Sequence, residues 1–285
     1  MNLILRRGTA SDAEACGRIL YEAFKSLADH HNFAPDFPSL EIATGRVSVP
    51  LKDASYHAVV AELDGRIVGS SFLDERGRIA GIGPISVNPT LQQSGVGRRL
   101  MQKMLERVAE RNFPGVRLLQ AGYNNRSLCL YTTLGFRTRE PISILQGKPP
   151  AVEMPGCDVR YATEADAEEC NRLCNKVHGH DRSGELLDAI RLGKASVVVR
   201  SDRITAYTSS IAFWGHTVAE TNADLMALIA AASEYPGPGF LVPTRNHELL
   251  SWCLDNRLRL VYQMTLMTVG LYNEPAGVWL PSVRY

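Results

Sequence analysis

A short sequence pattern occurs twice in this chain of 285 residues. Residues 9–16 are TASDAEAC, and residues 163–170 are TEADAEEC. In each copy a threonine stands three positions before an acidic residue, which is the pattern of a capped helix start. A pattern that recurs in both halves of a chain favours a duplicated unit. The repeat therefore predicts two domains of similar construction, which also suits the length.

The segment between the two copies supports this division. Residues 146–158 hold three prolines and two glycines, a composition that favours neither helix nor strand. Each half also finishes with a helix end followed by a strand, at 134–147 and at 255–270. We therefore predict a first domain over 1–147, a linker over 148–157 and a second domain over 158–285.

Bulk composition limits the classes of function. The chain is 45% hydrophobic and 21% charged with a formal net charge of +1, which is typical of a globular protein and indicates neither a nucleic-acid nor a membrane-surface partner. No apolar run approaches the roughly 18 residues of a membrane span, and the first residues lack the order of a signal peptide. Six scattered cysteines predict reduced thiols without a disulfide framework. We expect a cytoplasmic protein.

The first half predicts a mixed α/β fold. Apolar runs and alternation favour strands over 56–63, 66–73, 80–87, 116–122 and 136–146. Helical periodicity favours helices near 11–29, 39–47, 95–112 and 125–134. Asp64-Gly65 between the first two strands is a hairpin signal. This order is typical of a sheet built largely from hairpins, with helices packed against it.

One strand-to-helix junction in the first half carries two glycines. Gly95 and Gly97 stand where a helix with a continuous apolar stripe begins, and Arg98 follows them. The first turn of a helix has free N–H groups and a partial positive charge, so a phosphate can approach the bare backbone there. An ordinary turn of small residues is the alternative. The dinucleotide fingerprint is excluded because Leu100 replaces its third glycine, and no P-loop sequence follows.

Two sequence elements together resemble the GNAT superfamily of acetyl-CoA-dependent N-acetyltransferases. The first is Gln92-x-x-Gly95-x-Gly97, after a strand that ends in Val87-x-Pro89. The second is a seven-residue step from Asn124 to Tyr131, followed by Gly135-Phe136. The resemblance covers roughly residues 3–146. With the repeat, it implies an α/β fold of two tandem GNAT-like domains, each a mostly antiparallel sheet flanked by helices.

The resemblance implies acetyl-CoA as co-substrate and no metal. In the family, the strand over 80–87 splays from the strand over 116–122, and the pantetheine arm lies in the gap. Backbone groups of the first strand would pair with the arm, and the first turn of the following helix would hold the diphosphate. The implied cofactor-binding residues are Ile85, Ser86, Val87, Gln92, Gln93, Ser94, Gly95, Val96, Gly97, Arg98 and Asn124.

The resemblance also implies a mechanism. A primary amine of a small molecule or peptide would attack the acetyl carbonyl directly, because the enzyme mainly orients the two reactants. Tyr131 would be the general acid that protonates the departing thiolate. The alternative for Tyr131 is an aromatic side chain that fills the core. The alternative for the whole protein is a catalytically inactive CoA-binding sensor or scaffold, and a homodimer stays open.

The general base and the acceptor site are less determined. Many GNAT enzymes carry a glutamate on the strand where this chain has Gly81, Gly83 and Ser86. The loop over 30–39 is expected to line the acceptor pocket through its phenylalanines, or else to be a packed surface loop. Candidates for the base are Glu62, Asp74, Glu75, His30 and His31.

The second half keeps the framework but lacks both chemical elements. Its strand-to-helix junction, over 212–233, contains no Gln-x-x-Gly-x-Gly. Asn246 is followed at the seventh position by Cys253, and Arg257-Leu258 replaces Gly-Phe. We therefore predict a degenerate GNAT-like domain that does not bind CoA, with a C-terminal tail that wraps a domain surface or an interface.

Four possible metal ligands in the second half have near-helical spacing. Such spacing suits the buried stripe of one helix, whereas zinc sites usually draw ligands from two elements. We therefore expect no metal at these residues, which are Cys170, Cys174, His178 and His180.

Overall fold

A computed structural model describes residues 3–284. The chain forms two compact units. The first runs to Leu118 and includes Tyr123–Arg137 and Thr268–Gly270. The second comprises Leu119–Gly122, Thr138–Met267 and the chain from Leu271 onward. The domain boundaries drawn at the proline-rich segment stay a prediction.

The first unit contains most of the elements expected from the sequence. The observed elements, in chain order, are β1 (Leu3–Arg7), α1 (Ala13–His30), α2 (Leu40–Lys52), β2 (Tyr56–Leu63), β3 (Arg66–Asp74), β4 (Ala80–Val87), α3 (Val96–Glu110), β5 (Gly115–Ala121) and α4 (Asn125–Thr133). The strands are neighbours in this same order, β1-β2-β3-β4-β5. Pairing is antiparallel from β1 to β4 and parallel between β4 and β5.

The second unit repeats this succession of helices and strands. Its elements are β6 (Arg137–Gln146), β7 (Asp158–Tyr161), α5 (Ala167–His178), α6 (Ser183–Arg191), β8 (Ser196–Arg200), β9 (Arg203–Thr208), β10 (Thr217–Ala219), α7 (Asn222–Ala231), β11 (Phe240–Pro243), α8 (His247–Asp255), β12 (Arg259–Gly270) and β13 (Val278–Leu280). One sheet has the order β13-β10-β9-β8-β7, and β12 and β11 lie on either side of β6.

The predicted fold class is confirmed. Within residues 3–284 the chain forms eight α-helices and two largely antiparallel sheets. Strands β2 and β4 have the predicted bounds, and α3 begins at Val96. β1 was not predicted from the sequence. All five of its residues are half-buried or exposed, so no buried face marks the strand in the sequence, and antiparallel pairing with β2 holds it.

Both copies of the repeated octapeptide form the predicted cap. In the first copy the Thr9 N–H donates to Asp12 at 2.8 Å, and Arg6 donates two hydrogen bonds to the same carboxylate at 2.9 Å each. The cap opens a single 3-10 turn, after which the α-helix starts. The second copy repeats these bonds at 2.7–2.8 Å with Arg160, Thr163 and Asp166.

The apolar stripe of α3 is buried as its periodicity predicts. Leu100, Met101 and Met104 are wholly inaccessible to solvent, and Val96 and Val108 are nearly so. The helix packs on β2, β3 and β4. This burial fixes the direction in which the first turn of α3 points.

Candidate active site

Strands β4 and β5 diverge along their length. They pair only where residues 80–81 meet residues 116–117, although β4 runs on to Val87 and β5 to Ala121. The other edge of β4 stays paired with β3 as far as Val87. Beyond residue 81 the β4–β5 ladder therefore ends, and the strands open into a gap that suits an extended ligand.

A bulge in β4 accounts for the divergence. Ile82 pairs with Leu73 and Ile85 with Ser71, so two residues of β4 lie opposite one residue of β3. Those two residues are Gly83 and Pro84. Gly83 has a φ of 148°, which suits glycine, and proline contributes no N–H to a ladder. Bulges bend the strand that carries them, so the Gly-Pro pair turns the end of β4 away from β5.

Helix α3 begins without a side-chain cap. Its N-cap residue is Gly95, with a φ of 87° in the left-handed region, and no acidic residue lies in the first turn. A Cβ added at Gly95 would meet no atom within 4 Å. The space beside Gly95 is therefore open, and the first turn of α3 carries a partial positive charge that no side chain caps, an arrangement that fits a diphosphate.

The second glycine lies in the helix, beside α4 and β4. A Cβ at Gly97 would stand 3.7 Å from Leu130 Cδ2 and from Val87 Cγ2, which are ordinary contact distances. The Arg98 guanidinium donates to Thr133 Oγ1 at 2.9 Å and so joins α3 to the end of α4. The cradle thus depends on Gly95 for its conformation and not on Gly97.

Asn124 caps the helix that follows β5. Its side-chain oxygen accepts from the Ser127 N–H at 3.2 Å. This bond fixes the side chain at the mouth of the gap, because Asn124 follows the carboxyl end of β5 by a few residues. The same asparagine therefore starts α4, and its contact with the cofactor arm stays a prediction.

Tyr131 lies on α4 and is 5% exposed. Its ring centroid is 6.0 Å from that of Phe136. Burial raises the pKa of Tyr131 to about 12, and a hydrogen bond with the Ser127 side chain acts in the opposite direction. The phenol consequently keeps its proton near neutral pH. It meets the protonation requirement of a general acid while also packing in the core.

An aromatic cluster that the sequence did not reveal joins the loop over 30–39 to the end of β5. Tyr123 stacks on Phe33 with ring centroids 4.6 Å apart, and His31 lies 4.9 Å from the same ring. Phe37 is buried against Phe24 instead. Of the two phenylalanines expected to line an acceptor pocket, only Phe33 therefore lies beside the gap. The available signal was Tyr123 itself, an aromatic residue directly before Asn124.

Each carboxylate considered as the general base is held by an arginine. Such pairs keep a carboxylate in place and direct it at its partner. Both histidines considered lie at the aromatic cluster: the His31 ring is 4.9 Å from the Tyr123 ring, and the His30 ring is 4.9 Å from the His31 ring. The three pairs, at 2.6–2.9 Å, are Glu62 with Arg6, Asp74 with Arg76 and Glu75 with Arg107.

The corresponding helix start in the second unit is closed by its own side chains. Thr221 caps α7 by accepting from the Asp224 N–H at 3.3 Å. The Asp224 carboxylate, which is 1% exposed, accepts from Thr221 at 2.6 Å and from Thr205 at 3.0 Å. Arg200 also pairs with this carboxylate at 3.2 Å. A buried carboxylate in the first turn thus supplies from within the protein the negative charge that a phosphate would bring.

The helix after β11 is also internally satisfied. Asn246 caps α8 by accepting from the Leu249 N–H at 3.3 Å. Its amide nitrogen donates to Asn222 Oδ1 at 2.7 Å, and Asn222 in turn donates to Glu248. Side chains of α7 and α8 thus bond one another at their helix starts, whereas the start of α3 has no side-chain cap.

The four cysteines and histidines considered as metal ligands are buried in the second unit. His178 has its ring 5.2 Å from that of Trp279, and Cys170 and Cys174 lie in an apolar cluster. Across residues 3–284 no group of three or more His, Cys, Asp or Glu side chains is placed to hold a metal ion. All six cysteines are free thiols. In the same part of the chain no helix is long and apolar enough to cross a membrane.

Comparison with known families decides the class of the first unit. Residues 18–136 match the Acetyltransferase (GNAT) family. The chain carries a GNAT acetyltransferase domain. The matched residues include the diverging strands, the uncapped start of α3 and Tyr131. A GNAT domain binds acetyl-CoA and supports acyl transfer in general.

Solved GNAT structures share the fold of nearly the whole chain. A proposed acetyltransferase from Pyrococcus horikoshii has a TM-score of 0.76 at 17% identity, covering 97% of this chain and 92% of its own. A GCN5-related N-acetyltransferase from Sphaerobacter thermophilus has a TM-score of 0.64 at 15% identity, covering 95% and 96%. No curated protein matches the sequence. At these identities the likeness concerns the fold.

Proposed function

We propose that this protein transfers an acetyl group from acetyl-CoA to a primary amine of a small molecule or peptide. The observation that carries the proposal is the gap between β4 and β5, which leads to the uncapped first turn of α3. The two features lie inside the residues that match the GNAT family. We place the acetyltransferase domain at 1–147 and a degenerate tandem copy at 158–285, in a cytoplasmic protein.

The cofactor would be held mainly by backbone groups. The Ser86 side chain lies 3.4 Å from Ser70 Oγ in the core, so only the main chain of Ser86 can face the gap. Ile85 and Val87 would pair with the pantetheine arm in the same way, and Asn124 would border it. Residues Gln92, Gln93, Ser94, Gly95, Val96, Gly97 and Arg98 would surround the diphosphate.

Chemistry at the site needs little more than orientation and one proton. Acetyl-CoA supplies an activated acetyl group when bound, so the protein has to place the acceptor amine and exclude water. Tyr131 keeps its phenolic proton and can donate it at the sulfur side of the site. The aromatic cluster of His31, Phe33 and Tyr123 gives the acceptor an apolar border.

A CoA-binding sensor or scaffold is the second candidate function. It is favoured by the ion pairs that engage Glu62, Asp74 and Glu75, because each of these three candidate bases is directed at an arginine and not at an acceptor amine. Acetyl-CoA binding without turnover would identify this case.

A calorimetric titration with acetyl-CoA tests the proposal first, followed by thiol release with a panel of amines. One site per chain and amine-dependent release support a single working acetyltransferase domain. Two sites per chain would contradict the degenerate second copy. If acetyl-CoA does not bind, Gly95 only allows the backbone turn that starts α3, and the proposed function is wrong.

A further inference from the structure

The C-terminal tail adds a strand to the second unit. β13 pairs antiparallel with β10, with Leu280 opposite Thr217 and Val278 opposite Ala219. β13 also packs against β11. Leu280 belongs to the same buried cluster as Phe240 of β11. The tail strand therefore lies between β10 and β11.

That position has a counterpart in the first unit. The succession β10, α7, β11 in the second unit corresponds to β4, α3, β5 in the first. The gap between β4 and β5 is where the proposed function places the pantetheine arm, and the present inference rests on it in this respect. In the second unit the chain's own residues fill the corresponding place.

Contacts on both sides of the strand hold the tail. Before it, the Ala276 N–H donates to the Val177 carbonyl at 2.8 Å. After it, the Val283 N–H donates to the Phe213 carbonyl at 2.9 Å. Within it, Trp279 is 6% exposed and stands edge-on to His178. The tail is thus bound through main-chain hydrogen bonds and an apolar anchor.

The charges of the site agree with an uncharged extended ligand. Residues 276–283, AGVWLPSV, contain no ionisable side chain. The helix start beside β10 already holds the buried Asp224 carboxylate. A diphosphate would find this helix start already occupied by the Thr221 and Asp224 side chains. A strand needs only main-chain partners and room for alternate side chains.

We infer that the second unit is a strand-binding module. It takes an extended, uncharged polypeptide segment between β10 and β11, and residues 276–283 of the same chain are its ligand. The tail thereby replaces a cofactor arm with a permanent peptide strand.

A cleavable version of the full chain tests this inference. A protease site inserted beside the exposed Leu271 lets the folded protein be cut ahead of the tail strand. We expect the cut tail to remain bound during gel filtration and to exchange with an excess of labelled synthetic peptide 271–285. A scrambled peptide of the same composition should not exchange. Loss of the tail from a second unit that stays folded would overturn the inference.

Hydrogen exchange in the uncut chain gives an independent measurement. Trp279→Ala should speed exchange of the Thr217 and Ala219 amides by about 10-fold or more, because these residues pair with β13. Leu271→Ala, which shortens an exposed apolar residue of the tail outside the strand, should leave those rates unchanged. Equal rates in the two variants would overturn the inference.

Tail exchange and hydrogen exchange do not involve acetyl-CoA, so a negative result in either would contradict the strand-binding inference without bearing on the proposed acetyltransferase activity. The cut protein with its tail removed should still bind one acetyl-CoA per chain if the first domain works. A second acetyl-CoA site that appears on tail removal would overturn the assignment of a polypeptide ligand.

Discussion

At the scale of single residues, Tyr131 carries the chemical part of the proposal. Its hydroxyl contacts the Ser127 side chain one helical turn earlier, and the ring is nearly inaccessible to solvent. Desolvation of the phenolate keeps the side chain neutral. The residue can therefore deliver a proton only where a strong base forms beside it, as a departing thiolate would.

Removal of the Tyr131 hydroxyl should slow the chemical step. We expect Tyr131→Phe to lower kcat by roughly 10²-fold or more, since general acid catalysis usually contributes that much. Acetyl-CoA affinity measured by calorimetry should change little. Tyr161→Phe makes the same chemical change at a residue that is 73% exposed, and serves as the control. Equal kcat values for the two variants would assign Tyr131 to the core alone.

The two capping aspartates make a matched pair for stability. Asp12→Asn removes a carboxylate that accepts from Arg6 and Thr9, and should cost about 1–3 kcal/mol in the free energy of unfolding. Asp166→Asn should cost a similar amount, because its bonds have the same pattern. Urea unfolding measures both. Asp29→Asn, at an exposed ion pair, should have a much smaller effect.

The lowered pKa of Asp12 predicts that the protein loses stability as the pH falls. Hydrogen bonds from Arg6, ahead of the burial that opposes them, lower the pKa of Asp12 to about 2. Its stabilisation is therefore complete above its ordinary pKa near 4 and is lost as the pH falls towards 2. Urea unfolding between pH 5 and pH 2.5 should show a shallower decline for Asp12→Asn than for the wild type. Parallel declines would contradict the prediction.

At the scale of elements, the starts of α3 and α7 differ in the source of the negative charge that balances the partial positive charge of a helix start. Asp224 supplies it to α7 from within the protein, and α3 has no acidic residue in its first turn. Since both helix starts carry the same partial positive charge, the one without an internal carboxylate is the one suited to an anionic ligand.

The two glycines of α3 should respond differently to alanine. Gly95→Ala places a side chain at a φ of 87° and should cost about 1–2 kcal/mol of stability or displace the turn. Either outcome should weaken acetyl-CoA binding by about 10-fold. Gly97→Ala meets only ordinary contacts and should stabilise the helix by about 0.5–1 kcal/mol. Calorimetry and urea unfolding measure both variants, and equal affinities would contradict the role given to Gly95.

At the scale of the whole molecule, buried thiols shape the alkaline stability. Burial raises the pKa of Cys16 to about 11 and that of Cys170 and Cys253 to about 12. The unfolded thiols ionise from about pH 8.5, while the folded ones stay neutral. Stability is therefore complete below pH 8.5 and falls as the pH rises towards 11–12.

Urea unfolding between pH 7 and pH 10.5 in reductant should show this decline. Cys253→Ala should make the slope shallower, because it removes one thiol with a raised pKa. Cys129→Ala, at an exposed thiol, should leave the slope unchanged. A slope that is the same in both variants would show that the buried thiols do not control alkaline stability.

Strand placement is also decided at this scale. β6 follows the first unit in sequence, yet from Thr138 onward it belongs to the second, and the last residues of β12 belong to the first. Backbone hydrogen bonds pair strands that are neighbours in space, whatever their separation along the chain. A boundary drawn from composition follows the proline-rich segment, and the division at 148–157 stays a prediction.

The sequence by itself determined most elements of the first half, the capped repeats and the GNAT family of residues 18–136. Local hydrophobic period, turn residues and caps act over a few positions, which is why the bounds of β2 and β4 were predictable. Only the tertiary structure decided that Tyr123 stacks on Phe33, that arginines engage the candidate bases, and that residues 278–280 fill the gap between β10 and β11. Those contacts join residues far apart in the chain, and they form because burial and backbone pairing select partners in space.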